Sequence, residues 1–212
     1  TDLLNAISNA AKAAAEATAA ALDDAIQVGG RNLAEQTNQG SLNWSWVMQT
    51  GDYTKTSVVE NGINTCLLTR GSSPVGSWSV IFYSKIGRSK YLLNTEYTIS
   101  FWVKASVSTN ISGCKLLNSN GLNILANKIQ TINSATVAGQ WAKLIYIVKT
   151  VSTEPASTTQ GLYLTGMDSS AGVTYQFKDV KIELGNKATD WTPAPEDVQA
   201  EIDAASDAVN AL

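Results

Sequence analysis

The stretch Tyr97-Thr98-Ile99-Ser100-Phe101-Trp102-Val103-Lys104-Ala105 decides the fold. Tyr97, Ile99, Phe101, Val103 and Ala105 alternate with Thr98, Ser100, Trp102 and Lys104. Successive side chains of a β-strand point to opposite faces, so the first set is predicted to line a core and the second to form a more polar face. Outward from this run the same texture continues. Short stretches rich in Val, Ile, Thr, Tyr, Phe and Trp predict strands near 43–49, 54–59, 62–69, 77–86, 96–107, 111–117, 122–125, 141–150, 160–166 and 173–183. Turn chemistry separates them at Asn61-Gly62, Gly71-Ser72-Ser73-Pro74, Asn120-Gly121, Ala138-Gly139 and Ser169-Ser170-Ala171-Gly172. Residues 141–149 are apolar on both faces, which predicts a strand covered on two sides. This many strands with no helix between them indicate an antiparallel β-sandwich or barrel over residues 29–192.

Helical patterning returns at both ends. Residues 2–27 are rich in alanine and lack Gly and Pro, a strong helix composition. Leu4, Ile7, Ala11, Ala14, Thr18, Ala21 and Ala25 follow alternating steps of three and four, the seam of a coiled coil over residues 1–28. A solvated helix lying on the sandwich is the competing reading. Such a helix would reach roughly 39 Å at 1.5 Å per residue, and Val28-Gly29-Gly30 is expected to end it. Residues 193–212 open at Pro195-Glu196-Asp197, with acids in the first turn, and then place Val198, Ile202, Ala205, Val209 and Leu212 on a second heptad seam. Both seams run to the ends of the sequence, so it reads as a piece of a longer chain.

Composition narrows the chemistry. The 212 residues are 44% hydrophobic, enough for a sizeable core. No apolar run approaches the roughly 18 residues a membrane span needs, and no secretory signal precedes the body. Histidine is absent, which excludes Ser-His-Asp and Cys-His machinery and the commonest transition-metal ligand. The two cysteines, Cys66 and Cys114, form no C-x-x-C; they are expected to be buried free thiols, with a disulfide between them as the alternative. Residues 1–30 hold four acids and one base, residues 31–192 nine acids and fourteen bases, and residues 193–212 five acids and no base. The middle is mildly basic without a Lys/Arg cluster, which argues against a nucleic-acid footprint.

Three strings resemble a known family: Tyr97 to Lys104, Gly139-Gln140-Trp141, and above all Phe177-Lys178-Asp179-Val180-Lys181-Ile182-Glu183-Leu184-Gly185 continuing through Asp190-Trp191-Thr192-Pro193 to Asp197. They are similar to the carbohydrate-binding-module-like, galactose-binding-like jelly rolls of phage and prophage tail proteins of Gram-positive bacteria. Those occur in baseplate, tail-fibre and receptor-binding proteins. The resemblance spans about residues 31–197. It implies a virion protein whose module contacts cell-surface saccharide of a Gram-positive host, often in a homotrimer with other tail proteins as neighbours. The family also contains modules with no known ligand, so a spacer or assembly module of the fibre is the alternative function.

Saccharide recognition sets aromatic faces against the C–H faces of sugars, with polar groups fixing orientation. Trp44, Trp46, Trp78 and Trp102, with Lys104, are the candidate carbohydrate-binding residues. Trp141 and Trp191 lie in the family's fold strings and are expected in the core. Asn118, Asn120 and Asn123 serve either as turn residues or as hydrogen-bonding partners of a sugar. A glycosidase needs two acids about 5–10 Å apart. Asp179 and Glu183, four apart on one strand, are expected on one face about 13 Å apart, too far, so no catalytic residue is assigned. No cofactor is expected. A structural Ca²⁺ is the one option the resemblance raises, with Glu60 and Asp179 as possible ligands.

Overall fold

The computed structural model describes residues 5–7, 9–14, 30–35, 53–72, 78–84, 91–118, 124–153, 160–168 and 170–211. The described part is mainly β. Nine strands form one antiparallel sheet: β1 (Tyr53–Glu60), β2 (Ile63–Arg70), β3 (Trp78–Ser84), β4 (Glu96–Ala105), β6 (Gly113–Asn118), β7 (Ile124–Asn133), β9 (Trp141–Thr150), β10 (Gln160–Thr165) and β11 (Thr174–Leu184). Their order across the sheet is β1-β2-β11-β4-β9-β7-β6-β10-β3. Two short strands, β5 (Thr109–Asn110) and β8 (Ala135–Thr136), pair beside it. The β1–β2 connection shows the local logic. Glu60 pairs with Ile63, leaving Asn61 (φ 52°) and Gly62 (φ 78°) as a two-residue turn whose positive φ angles suit Asn-Gly and the twist of the hairpin.

The sheet curls, and one core draws on both of its halves. Cys66 and Leu68 from β2, alternate residues of β4 and β9, and Tyr175 and Phe177 from β11 cluster with Cys114 and Leu116 of β6, Ala126 of β7, and Leu162 and Leu164 of β10. The residues Tyr97, Ile99, Phe101, Val103 and Ala105 are all at most 1% exposed, as their alternation requires. Phe101 stacks on Tyr146 with ring centroids 6.0 Å apart. The Tyr146 hydroxyl donates to the Ile111 carbonyl at 2.6 Å, which satisfies the polar tip of a buried ring. Cys66 and Cys114 are free and buried, and burial pushes both thiols up, Cys66 to about 12.

The second face of β4 is divided. At one end Thr98 and Ser100 are buried, because the segment after β11 folds back over them. The Thr98 hydroxyl donates to the Gly185 carbonyl at 2.8 Å. Lys181 and Glu183, on the same face of β11, are almost wholly buried. The Lys181 ammonium donates to Thr189 Oγ1 (2.6 Å) and the Asp190 carbonyl (2.7 Å), and it lies 3.4 Å from Glu183 Oε2. The Glu183 carboxylate accepts the Thr189 amide and hydroxyl at 2.8 and 2.6 Å. The Trp191 indole donates to the Val180 carbonyl at 3.1 Å, so this tryptophan is a half-buried clasp on the sheet rather than the core residue its string suggested. Asn32 ties the chain's entry to its exit: its amide donates to the carbonyls of Val180 and Thr192, and its oxygen accepts the amides of Ala34 and Ile182. Arg31 pairs with Glu196 beside it. The two linkers therefore meet at one place on the sandwich.

Beyond these roots the ends are helical where described. Residues 5–7 and 9–14 are helix and exposed, and the C-terminal helix Pro195–Asn210 buries none of its residues. Ile7, Val198, Ile202 and Val209 stand 60, 39, 56 and 69% exposed. The seam residues among those described thus sit on exposed helix, with no helix–helix pairing among the described residues. The expected helix end at Val28-Gly29 and the strand near 43–49 lie outside the described residues. The remaining strands fall close to where the sequence placed them, except that β7 continues to Asn133, well past its expected end, and the short β5 and β8 were not expected.

Candidate functional site

The other, half-buried end of the second face carries the candidate site. Register builds it in rows across β11, β4 and β9: Gln176–Lys104–Trp141, then Lys178–Trp102–Lys143. At the end of β1, Glu60 reaches the first row from the same face. Its carboxylate is the hub. Oε2 accepts the Lys104 ammonium at 2.5 Å and the Gln176 amide at 3.0 Å, and Oε1 accepts the Trp141 indole N–H at 3.3 Å. Gln176 also donates to Thr65 Oγ1 at 2.6 Å, and Thr65 donates to the Val58 carbonyl at 2.8 Å. Lys104, foremost, with the Trp141 and Gln176 donors, holds the Glu60 carboxyl below its ordinary value against partial loss of water. The two tryptophans share a cation. The Lys178 ammonium lies 4.7 Å from the Trp141 ring centroid and 5.9 Å from that of Trp102, and Lys104 lies 5.1 Å from Trp141.

Two of the five sequence-predicted site residues, Trp102 and Lys104, are therefore neighbours on one face, and both are half-buried. Trp78 begins β3 at the far edge of the sheet order from β1 and is not on a strand adjacent to β4. Trp44, Trp46, Asn120 and Asn123 lie outside the described residues. Trp141 is the residue the sequence reading misplaced. It is half-buried on the second face beside Lys104, not in the core. The usable signal was parity: Ala142, Leu144, Tyr146 and Val148 are the inward set of β9, which puts Trp141 on the opposite face with Lys143.

The arrangement suits adsorption better than acid–base chemistry. Glu60 is the one described carboxylate in the cluster, and three donors hold it charged. Glu183 is sealed under Thr189. Asp179 has φ 53° at an irregularity between Lys178 and Lys181, so the simple alternation that put it on one face with Glu183 fails there. Among the described residues no group of three or more His, Cys, Asp and Glu side chains converges on a metal-sized site. No helix among them is long and apolar enough to cross a membrane.

No protein-family model matches the sequence, and no curated protein matches it. Solved structures with a similar fold include carbohydrate-binding modules, a phage baseplate piece and glycosidases. The CBM22-1 xylan-binding domain of Paenibacillus barcinonensis Xyn10C aligns at 18% identity and TM-score 0.46, over 77% of this chain and 96% of that one. The tripod from the baseplate of bacteriophage Tuc2009 aligns at 18% identity and TM-score 0.42, over 81% of this chain and 60% of that one. An arabinose-bound MgGH51 α-L-arabinofuranosidase aligns at 16% identity and TM-score 0.48, over 75% of this chain and 26% of that one. All three are remote likenesses.

Proposed function

We propose that this chain is a non-catalytic saccharide-binding module of a phage tail protein, attaching to cell-surface polysaccharide of a Gram-positive host. The observation that supports it most is the pair of half-buried indoles, Trp102 and Trp141, on one face of neighbouring strands. A rigid sheet holds them, and the Glu60–Lys104–Gln176 network fixes Trp141 through its indole N–H. Lys178 rests against both rings, but an exposed cation–π contact is worth only about 0.5–1 kcal/mol. A sugar ring that offers comparable contact displaces it. Trp102, Trp141 and Lys104 form the proposed contact surface; Trp44, Trp46 and Trp78 complete the set that the sequence nominates.

The test is binding to isolated Gram-positive cell walls and to a glycan array. Trp102→Ala and Trp141→Ala should each weaken binding by about 1–3 kcal/mol, as buried aromatic anchors do, while the fold survives. Unchanged wall binding after both substitutions sinks this reading. A spacer or assembly module is the second reading, favoured by the exposed apolar residues Val198, Ile202 and Val209 on the C-terminal helix. The two readings are compatible if the helices join three copies into a trimer. Linked sites then raise avidity without new contacts.

A further inference from the structure

We propose that the ligand of this face is an anionic saccharide, one bearing carboxylate or phosphate; this rests on the saccharide reading above. The inference comes from which polar groups of this face are already used. Glu60 spends both oxygens on Lys104, Gln176 and Trp141. Gln176 spends its amide nitrogen on Glu60 and Thr65. Lys104 is paired with Glu60. Two strong groups remain uncommitted. Lys178 touches only the indole rings of Trp102 and Trp141 among its described contacts, and Lys143 has no ion-pair partner among the described residues.

These two lysines sit in one row on either side of Trp102, Lys178 on β11 and Lys143 on β9. Strands lie about 4.8 Å apart, so their backbones straddle the indole at a separation of about 10 Å. An ammonium is a pure donor with a full charge. A neutral sugar offers hydroxyls that both give and take hydrogen bonds, and it would be matched by amides and carboxylates; among the described groups here the Glu60 carboxylate and the Gln176 amide nitrogen are already engaged. Among the described residues this end of the face has a net charge of +2, since Lys104, Lys143 and Lys178 stand against Glu60. A sugar lying on Trp102 with an acidic substituent to either side meets a cation whichever way it is turned. When the ring displaces Lys178 from the indoles, the freed ammonium gains the anion as its partner.

The experiment uses this chain with isolated Gram-positive cell walls in three forms: untreated, stripped of phosphodiesters with hydrofluoric acid, and with carboxylates converted to neutral amides by carbodiimide coupling. One treatment should weaken binding at least about fivefold, the upper worth of an exposed charge pair, and that treatment identifies the anion. Lys143→Gln and Lys178→Gln should each weaken binding to untreated walls about threefold to fivefold. Both should be nearly silent on the walls that lost the anion, and their melting temperatures should match the native chain. Binding should fall steeply between low and physiological salt as charges are screened. Wall binding unaffected by either treatment and by salt overturns the anionic assignment and leaves the saccharide reading standing. Equal displacement from walls by single-stranded DNA overturns the assignment to sugar. Failure of the native chain to bind any wall overturns the saccharide reading itself.

Discussion

Replacing Glu183 by Gln tests how the second face is closed. The native pair is sealed from water: the side chains of Lys181 and Glu183 are 1% and 0% exposed, with Nζ and Oε2 3.4 Å apart. At that distance an effective dielectric of about 20 gives an attraction of roughly 5 kcal/mol, most of it offset by the desolvation of both ions. Glu183→Gln keeps the shape but strands the Lys181 ammonium under Thr189 and Asp190 with only neutral acceptors. Breaking a buried pair from one side costs about 3–5 kcal/mol. For a chain of this size that is a fall of about 6–20 °C in melting temperature. Lys181→Met should cost a similar amount, because it leaves the Glu183 carboxylate with the two Thr189 donors alone. The double variant should lose about as much as either single one, since the second change removes the charge that the first left stranded. Urea unfolding at neutral pH, followed by tryptophan fluorescence, measures all three. Single losses below about 1 kcal/mol, the range of surface pairs, would refute the claim that this pair is sealed, and strictly additive losses would refute the coupling.

Three further outcomes are expected. The folded Glu60 carboxyl titrates below its ordinary value of 4.5, so its charged network contributes stability that is present above that pH and lost as pH falls through the lowered value. The Trp141 indole N–H resonance should therefore hold its position from neutral pH to about pH 5 and move only below 4.5; a midpoint above 4.5 contradicts the network. The two buried thiols, with Cys66 pushed up to about 12, should resist a disulfide reagent at pH near 8 in the native protein and both react in urea; prompt native labelling would mean the core is open. Light scattering at micromolar concentration should give the mass of an oligomer, which Ile202→Asp abolishes; a salt-insensitive monomer mass in the native chain counts against the helical seams as contacts.

The strands were legible because their signal is local. Period-two alternation in Tyr97–Ala105 and turn residues such as Asn61-Gly62 act within a few positions, and both survive into the structure unchanged. What was not legible depends on distant partners. Trp141 looks like a core residue beside Gly139 and Gln140; its hydrogen-bond acceptor, Glu60, is 81 positions away. Lys181 and Glu183 look like solvated strand residues, and they are buried by Thr189 and Asp190, which return over the sheet after β11. The positive φ of Asp179 breaks the parity that a uniform strand would carry from Lys178 to Lys181. β7 was cut short because register irregularities near Ile129 and Ile132 spoil its alternation and leave those two residues about half exposed. Two members of the candidate cluster, Trp102 and Lys104, share a face by alternation alone; placing Trp141 beside them required the register of β9 against β4.

The most direct measurement of the central claim is a titration of the ¹⁵N-labelled chain with solubilised cell-wall polysaccharide, read at its six tryptophan indole N–H resonances. Saccharide binding on the half-buried end of the second face predicts that the signals of Trp102 and Trp141 shift together with a single affinity. The Trp191 signal, clasped on the Val180 carbonyl at the covered end, should stay still. Binding that moves Trp191 and leaves Trp102 and Trp141 untouched would contradict the account.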